Sequence, residues 1–262
     1  MPTVDTTPLR RCVLAVSVLK DLDVLPDDDG VRLTGPRGTL VTWEQVGDAV
    51  GDFPAEGPIA RRRVETLLRL FQIVDDFGPA AAQHLHAAAR VVALPAGHAE
   101  HPGRNWVQEP LRGNALDLGI GVHGLLGEHD RTTPVPPSVL AAIGVQAAVW
   151  WPRLREHAER MGALSAARLT RDGHQGVIRP VGGCDVLALL SSRTLRRHLA
   201  DGDNSGLRAL AVPTRRRGWY DVNRIDPAFV RCAWALTEDS ERGMPVPLLI
   251  SADDVVLPFS LA

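Results

Sequence analysis

A strict alternation near the middle of the chain constrains the fold more than any other feature. In "LDLGIGVH", Leu116, Leu118, Ile120 and Val122 take every second position, and Asp117, Gly119, Gly121 and His123 take the others. Successive side chains of an extended strand point to opposite faces, so the pattern specifies a β-strand with one buried apolar face. The other face then carries a carboxylate, two bare glycines and an imidazole. Glycines on a strand let another backbone, a ring or a ligand come close. That face is therefore a candidate border for a site, with Asp117 and His123 as its polar groups. The two stand roughly 20 Å apart along a strand, too far to touch each other.

The same letters carry two resemblances. Gly119-x-Gly121-x-x-Gly124 is similar to the dinucleotide-binding fingerprint, and "LDLGIG" resembles the first motif of S-adenosylmethionine-dependent methyltransferases. Either would imply a loop that follows a strand, opens a helix and cradles phosphate or ribose. The flanks argue otherwise. "LLGEHDRTTPVPP" is too broken for a following helix, and no strand ending in Asp or Glu lies near position 140. Gly124 also falls one residue later than the third glycine of the methyltransferase motif. A strand is the preferred reading and no cofactor is assigned. An enzyme with a cleft lined by residues 117–124, using a nucleotide or S-adenosylmethionine, stands as an alternative.

The flanking pattern predicts an α+β fold of two small subdomains, 1–130 and 131–262, each a short, mostly antiparallel sheet packed with helices and neither a doubly wound Rossmann unit. In the first, a helix over about 8–22 precedes a hairpin, "VRLT-GPRG-TLVTW". A short helix follows, with Thr42 as N-cap and Gly51 at its end, and then an amphipathic helix carrying Val64, Leu67, Leu68 and Phe71. "GPAAAQHLHAAARVVALP" is expected to be helical up to Pro95. The breaker cluster "GEHDRTTPVPPS" marks the boundary. Beyond it the expectations are helices over about 138–150 and on past Pro152, a hairpin around Asp172-Gly173 and a helix over "CDVLALLSSRTLRRHLAD". "GLRALAVPT" should be a strand, and a helix capped by Asp226 and one or two final strands complete the chain.

Composition narrows the function classes. The 262 residues carry 29 Lys+Arg against 31 Asp+Glu, for a net charge of −2, which disfavours a nucleic-acid binder that works by bulk charge. Lys20 is the only lysine, a bias that a GC-rich bacterial genome explains more simply than ligand chemistry does. Cys12, Cys184 and Cys232 form no CxxC or zinc pattern, which fits buried thiols in a reducing cytoplasm. No apolar run reaches the ~18 residues of a membrane span, so a soluble, cytoplasmic protein is expected.

Several short constellations admit sharper readings beside plainer ones. "TWEQVGDAVG" resembles the opening helix of bacterial helix-turn-helix units, which would imply DNA binding through residues 42–63, with Arg61, Arg62 and Arg63 on phosphates. Gly47 and the long "DFPAEGP" connection depart from that pattern, and a plain helix pair explains it as well. His84 and His86 should point apart on a helix, and His98 with His101 sits in a loop, so no metal is assigned. Cys184 follows two glycines and opens an expected helix, where a dipole favours thiolate, but a small buried residue fits equally. Asp27-Asp28-Asp29, Asp75-Asp76 and Asp253-Asp254 fit turns and caps.

The densest polar-aromatic segment is "VPTRRRGWYDVNRIDPAF", expected to join a strand to a helix. It holds Arg215, Arg216, Arg217, Trp219, Tyr220 and Arg224. Arginine forks and aromatic rings on a connecting loop suit an anionic or planar ligand. The leading functional reading is thus a non-catalytic binding or regulatory protein that engages an anionic small molecule or an acidic protein surface through this loop. The plainer reading has the rings packed and the arginines solvated.

Overall fold

The computed structural model describes residues 6–111, 115–124, 131–171, 176–221 and 223–257. In chain order the elements are α1 (Thr7–Lys20), β1 (Val24–Pro26), β2 (Gly30–Leu33), β3 (Leu40–Thr42), α2 (Trp43–Val50), α3 (Pro58–Phe77), α4 (Ala81–Ala88), β4 (Ala89–Leu94), β5 (Glu109–Pro110), β6 (Asp117–His123) and β7 (Thr132–Pro134). Then come α5 (Pro137–Ala142), α6 (Ala147–Arg171), β8 (Val177–Ile178), α7 (Val186–Leu189), α8 (Arg193–Ala200), β9 (Arg208–Thr214), β10 (Arg217–Trp219), α9 (Pro227–Ala235), β11 (Leu248–Ile250) and β12 (Val255–Val256). The strands form three small sheets, β1-β2-β3, β4-β6 with β5 and β7, and β12-β11-β9-β10-β8, every pairing antiparallel. The fold is α+β, with helices packed on several antiparallel sheets.

Local chemistry explains the N-terminal elements. Thr42 and Gln45 close a reciprocal capping box at the start of α2, satisfying two orphan N–H groups, and Gly51 ends it at φ 61°. α3 starts at Pro58 and buries Val64, Leu67, Leu68 and Phe71 against α1 and α2. From its far end Asp75 reaches the β2–β3 turn. Its carboxylate accepts from Arg37 N (3.3 Å), Thr39 N (2.7 Å) and Thr39 Oγ1 (2.5 Å), fixing the hairpin to the helix.

β6 is the strand that the alternation specifies, and it is the middle of its sheet. β4 pairs along its full length, Val91 opposite Ile120. The segment read as helix up to Pro95 therefore divides. α4 stops at Ala88, and Ala89–Leu94, with Val91 and Val92 at its centre, is strand. β-branched residues packed on a sheet outweigh the helical preference of the alanine run.

Both faces of β6 are buried, which corrects the expectation of one. Gly119 lies under the ring of Trp106, where any Cβ would overlap the indole, and Gly121 lies under Val92 and Thr133. Trp106 Nε1 donates to Ile120 O at 2.8 Å, so the ring is seated by a hydrogen bond as well as by area. The glycines do admit a ring; it belongs to the protein's own core.

In the C-terminal half α6 continues as helix to Arg171, so the first arm of the expected hairpin is helical, and its Asp172-Gly173 turn lies outside the described residues. The helix expected after Cys184 is two short ones, α7 capped by Asp185 and α8 capped by Ser192. The arginine segment is not a strand-to-helix loop. β9 and β10 form a hairpin whose two-residue turn is Arg215-Arg216. α9 begins as expected, with Asp226 Oδ1 accepting from Ala228 N and Phe229 N.

The position expected to divide two subdomains falls beside a paired strand: β7 hydrogen-bonds to β6, Val122 opposite Thr133. α6 and α7 pack on β4, and α5 packs on α3. One cluster of buried apolar side chains runs from Cys12 to Val255, with Val92, Leu94 and Trp106 as a small satellite.

Candidate functional site

The end of β6 opens into a cleft of about 410 Å³. Its walls are His123 from β6, Arg131 and Thr132 at the start of β7, the 179–185 turn, the β9–β10 turn and Glu241. Among the described lining residues five are arginines (131, 179, 215, 216 and 217) and two are carboxylates, Asp185 and Glu241.

The floor is a buried ion network. Arg215, 3% exposed, donates to Asp185 Oδ2 from Nε at 2.7 Å, to Glu100 Oε2 at 3.3 Å, and to Ser240 O and Thr132 O at 3.3 Å. Glu100 also pairs with Arg131 and, at 3.2 Å, with Arg62. Three guanidiniums thus converge on Glu100 and Asp185, joining α3, the loop after β4, β7, the N-cap of α7 and the β9–β10 turn. Burial, then repulsion by Arg62 and Arg215, pushes Arg131 down to about 9, which leaves it protonated at neutral pH.

The rim is different. Arg216 is exposed and pairs with Glu241 at 2.9 Å. Arg179 and Arg217 are exposed, and neither has an ion pair among the described residues. Opposite them, Gly182 and Gly183 form a tight turn at φ 58° and 82°, closed by reciprocal N–H···O bonds of 3.0 Å between Val181 and Cys184. Two successive positive φ values are the requirement of a type I′ turn, and glycine meets it without a Cβ penalty. The turn's carbonyls are held by Arg90, His157 and Thr132. Its two N–H groups make no hydrogen bond among the described residues.

His123 abuts this turn, so close that a Cβ on Gly183 would lie 3.0 Å from its Cγ. The Thr132 hydroxyl gives its single proton to Gly183 O at 2.6 Å. In the 3.0 Å contact between His123 Nδ1 and Thr132 Oγ1, the imidazole must therefore be the donor. Nδ1 therefore carries a proton and orients the ring against Thr132.

The predicted site residues thus separate. His123, Arg215, Arg216 and Arg217 share the cleft. Asp117 is at the other end of β6, accepting from His101 Nε2 at 3.1 Å while His101 Nδ1 accepts from Gly103 N. Trp219 packs edge-on against Phe229, Tyr220 lies under Arg208, and Arg224 pairs with Asp221 at 3.4 Å. None of these three lines the cleft.

Arg131, Arg179, Glu100 and Asp185 lay outside the sequence prediction. The Gly182-Gly183 pair was the usable signal, because a glycine pair between extended residues is a hairpin turn signature. Cys184 is fully buried ahead of a four-residue helix, and burial, with Asp185 beside it, pushes its thiol up to about 12. Burial in apolar surroundings thus favours the neutral thiol.

The remaining constellations are tied into the fold. Arg63 donates to Ala99 O, Ala49 O and His101 O, and Arg62 pairs with Glu100, so of the three arginines once assigned to phosphates only Arg61 is exposed. His84 stacks on Phe77, His86 lies beside Trp150, and His98 Nε2 is 3.1 Å from Arg242 O. Among the described residues no three His, Cys, Asp or Glu side chains form a metal-binding group, and no helix is long and apolar enough to cross a membrane. The chain matches no protein-family model, no curated protein and no solved structure.

Proposed function

We propose that the protein binds a small polyanion, such as a diphosphate or a polycarboxylate, in the cleft at the end of β6. The observation that carries this reading is the excess of guanidinium over carboxylate in one concave site, with Arg179 and Arg217 exposed at its rim. Arginine's planar fork matches phosphate and carboxylate oxygens bidentately. The Gly182 and Gly183 N–H groups add donors that carry no desolvation cost of their own charge. The buried floor keeps the site positive and rigid while its own charges stay paired. Among the described residues the cleft is lined by guanidiniums and one imidazole, a lining that suits an anion.

A thermal-shift series with pyrophosphate, inorganic phosphate, citrate and chloride at matched ionic strength tests the proposal. Pyrophosphate or citrate should raise the melting temperature by several degrees at millimolar concentration, above chloride. Equal shifts for all four would dismiss a specific site.

One observation favours a catalytic version of the same site: the His123 imidazole, oriented through its Nδ1–H by Thr132, lines the anion-binding cleft. On that reading His123→Gln removes turnover of a phosphate ester and leaves pyrophosphate binding intact. Loss of both together would reduce His123 to a structural role.

A further inference from the structure

A second cleft, of about 390 Å³, lies on the other side of Arg131, between the end of α1, the outward face of α3 and the chain around Asp239. Part of its lining is apolar: Val16 and Leu19 from α1, Pro58 and Ile59 from α3. Leu19 is 67% exposed. The lining also carries Lys20, Arg61 and Arg69. Lys20 and Arg69 share Glu65, at 3.0 Å and 3.5 Å. Asp239, the other acidic lining residue, is occupied by Arg242. Arg61 is exposed and has no ion pair among the described residues.

We propose that this second cleft takes an amphipathic anion, an aliphatic chain that ends in a carboxylate or phosphate. A single exposed leucine is ordinary on a protein surface. Here apolar side chains and three cations, two of them sharing the single carboxylate of Glu65, line one cavity, and that pairing selects a ligand with both properties. The apolar part takes the chain, each buried methylene strengthening binding by about fourfold. Arg61 and Arg69 take the head, with Lys20 adding a point charge. The site shares no exposed cation with the first cleft, so its occupancy does not depend on the polyanion reading.

Calorimetric titration of the full chain with decanoate, decyl phosphate, decanol and inorganic phosphate, each below its micelle concentration, tests the assignment. Decanoate and decyl phosphate should saturate one site, hexanoate should bind at least tenfold more weakly than decanoate, and decanol and inorganic phosphate should bind weakly or not at all. The stronger of the two alkyl anions identifies the head group. Arg61→Ala/Arg69→Ala should weaken decanoate at least tenfold. The exposed single variant Arg61→Glu does the same without disturbing the Arg69 contact to Lys20 O. Arg179→Ala/Arg217→Ala should leave decanoate binding unchanged. Decanol binding as tightly as decanoate would overturn the proposal. So would decanoate that survives Arg61→Glu, or that is lost in Arg179→Ala/Arg217→Ala.

Discussion

The floor and the rim of the arginine cleft use the same side chain under opposite conditions. On the floor both guanidiniums are buried and paired, Arg215 with Asp185, Glu100 and backbone carbonyls, and Arg131 with Glu100. At the rim, Arg179 and Arg217 stand in solvent without a carboxylate among the described residues. Arg215 and Arg217 are two residues apart and lie on opposite sides of that divide. A guanidinium that has already been desolvated and paired contributes architecture and field. One that has not is available to a ligand. The division predicts that floor substitutions cost stability and rim substitutions cost binding.

The largest effect should come from the floor. Arg215→Ala leaves Asp185 without its arginine and Glu100 with one fewer, and removing one partner of a buried pair typically costs about 3–5 kcal/mol. Glu100→Ala should do at least as much, because three guanidiniums lose their shared acceptor. Urea unfolding measures both. Losses below about 1 kcal/mol would mean that the floor is wetter and weaker than its geometry implies.

Next in size is a pH effect at the edge of the same network. Burial, and then Arg215, hold His98 neutral by pushing it from its ordinary range down to about 3. The unfolded chain takes up a proton at this position near pH 6.5 and the folded chain does not. The stability this residue confers is therefore complete above pH 6.5 and drains as pH falls from there toward 3. Between pH 7.5 and pH 5 the loss should be about 2 kcal/mol. In His98→Gln that part of the slope should disappear. A wild-type slope that the variant keeps would assign the acid sensitivity elsewhere.

Gly183→Ala tests the turn between floor and rim. A positive φ and the nearby His123 ring should together cost about 1–2 kcal/mol and displace His123, a shift that its imidazole NMR signals would report. The smallest effect on stability should come from the rim: Arg217→Ala within about 0.5 kcal/mol of wild type, as for exposed side chains generally.

The same contrast explains what could be read from the sequence. Local periodicity made β6, α3, the β2–β3 hairpin and the caps at Thr42 and Asp226 legible, because each is decided by residues within a few positions. β4 was hidden behind the alanines of α4, since its strand state comes from pairing with a segment some thirty residues later. The "RRR" run marked the right turn but not the division of labour within it. Arg215 is settled by Glu100, 115 residues away in sequence, and Arg131 by the same carboxylate. Trp219, Tyr220 and Arg224 belonged to the same segment and turn away: the pairing register of β10 shifts between Arg217 and Trp219, and the three side chains meet Phe229, Arg208 and Asp221. Long-range ion pairs leave no periodic trace, so which arginines are spoken for was beyond any local pattern.

The central claim is that the rim holds an anion while the floor holds the fold. Isothermal titration of pyrophosphate into wild type and into Arg179→Ala/Arg217→Ala tests it most directly. The account predicts saturable binding to the wild type, weakened at least tenfold in the double variant with an unchanged melting temperature. Equal affinity in the two proteins, or no saturable binding to the wild type at millimolar pyrophosphate, would contradict it.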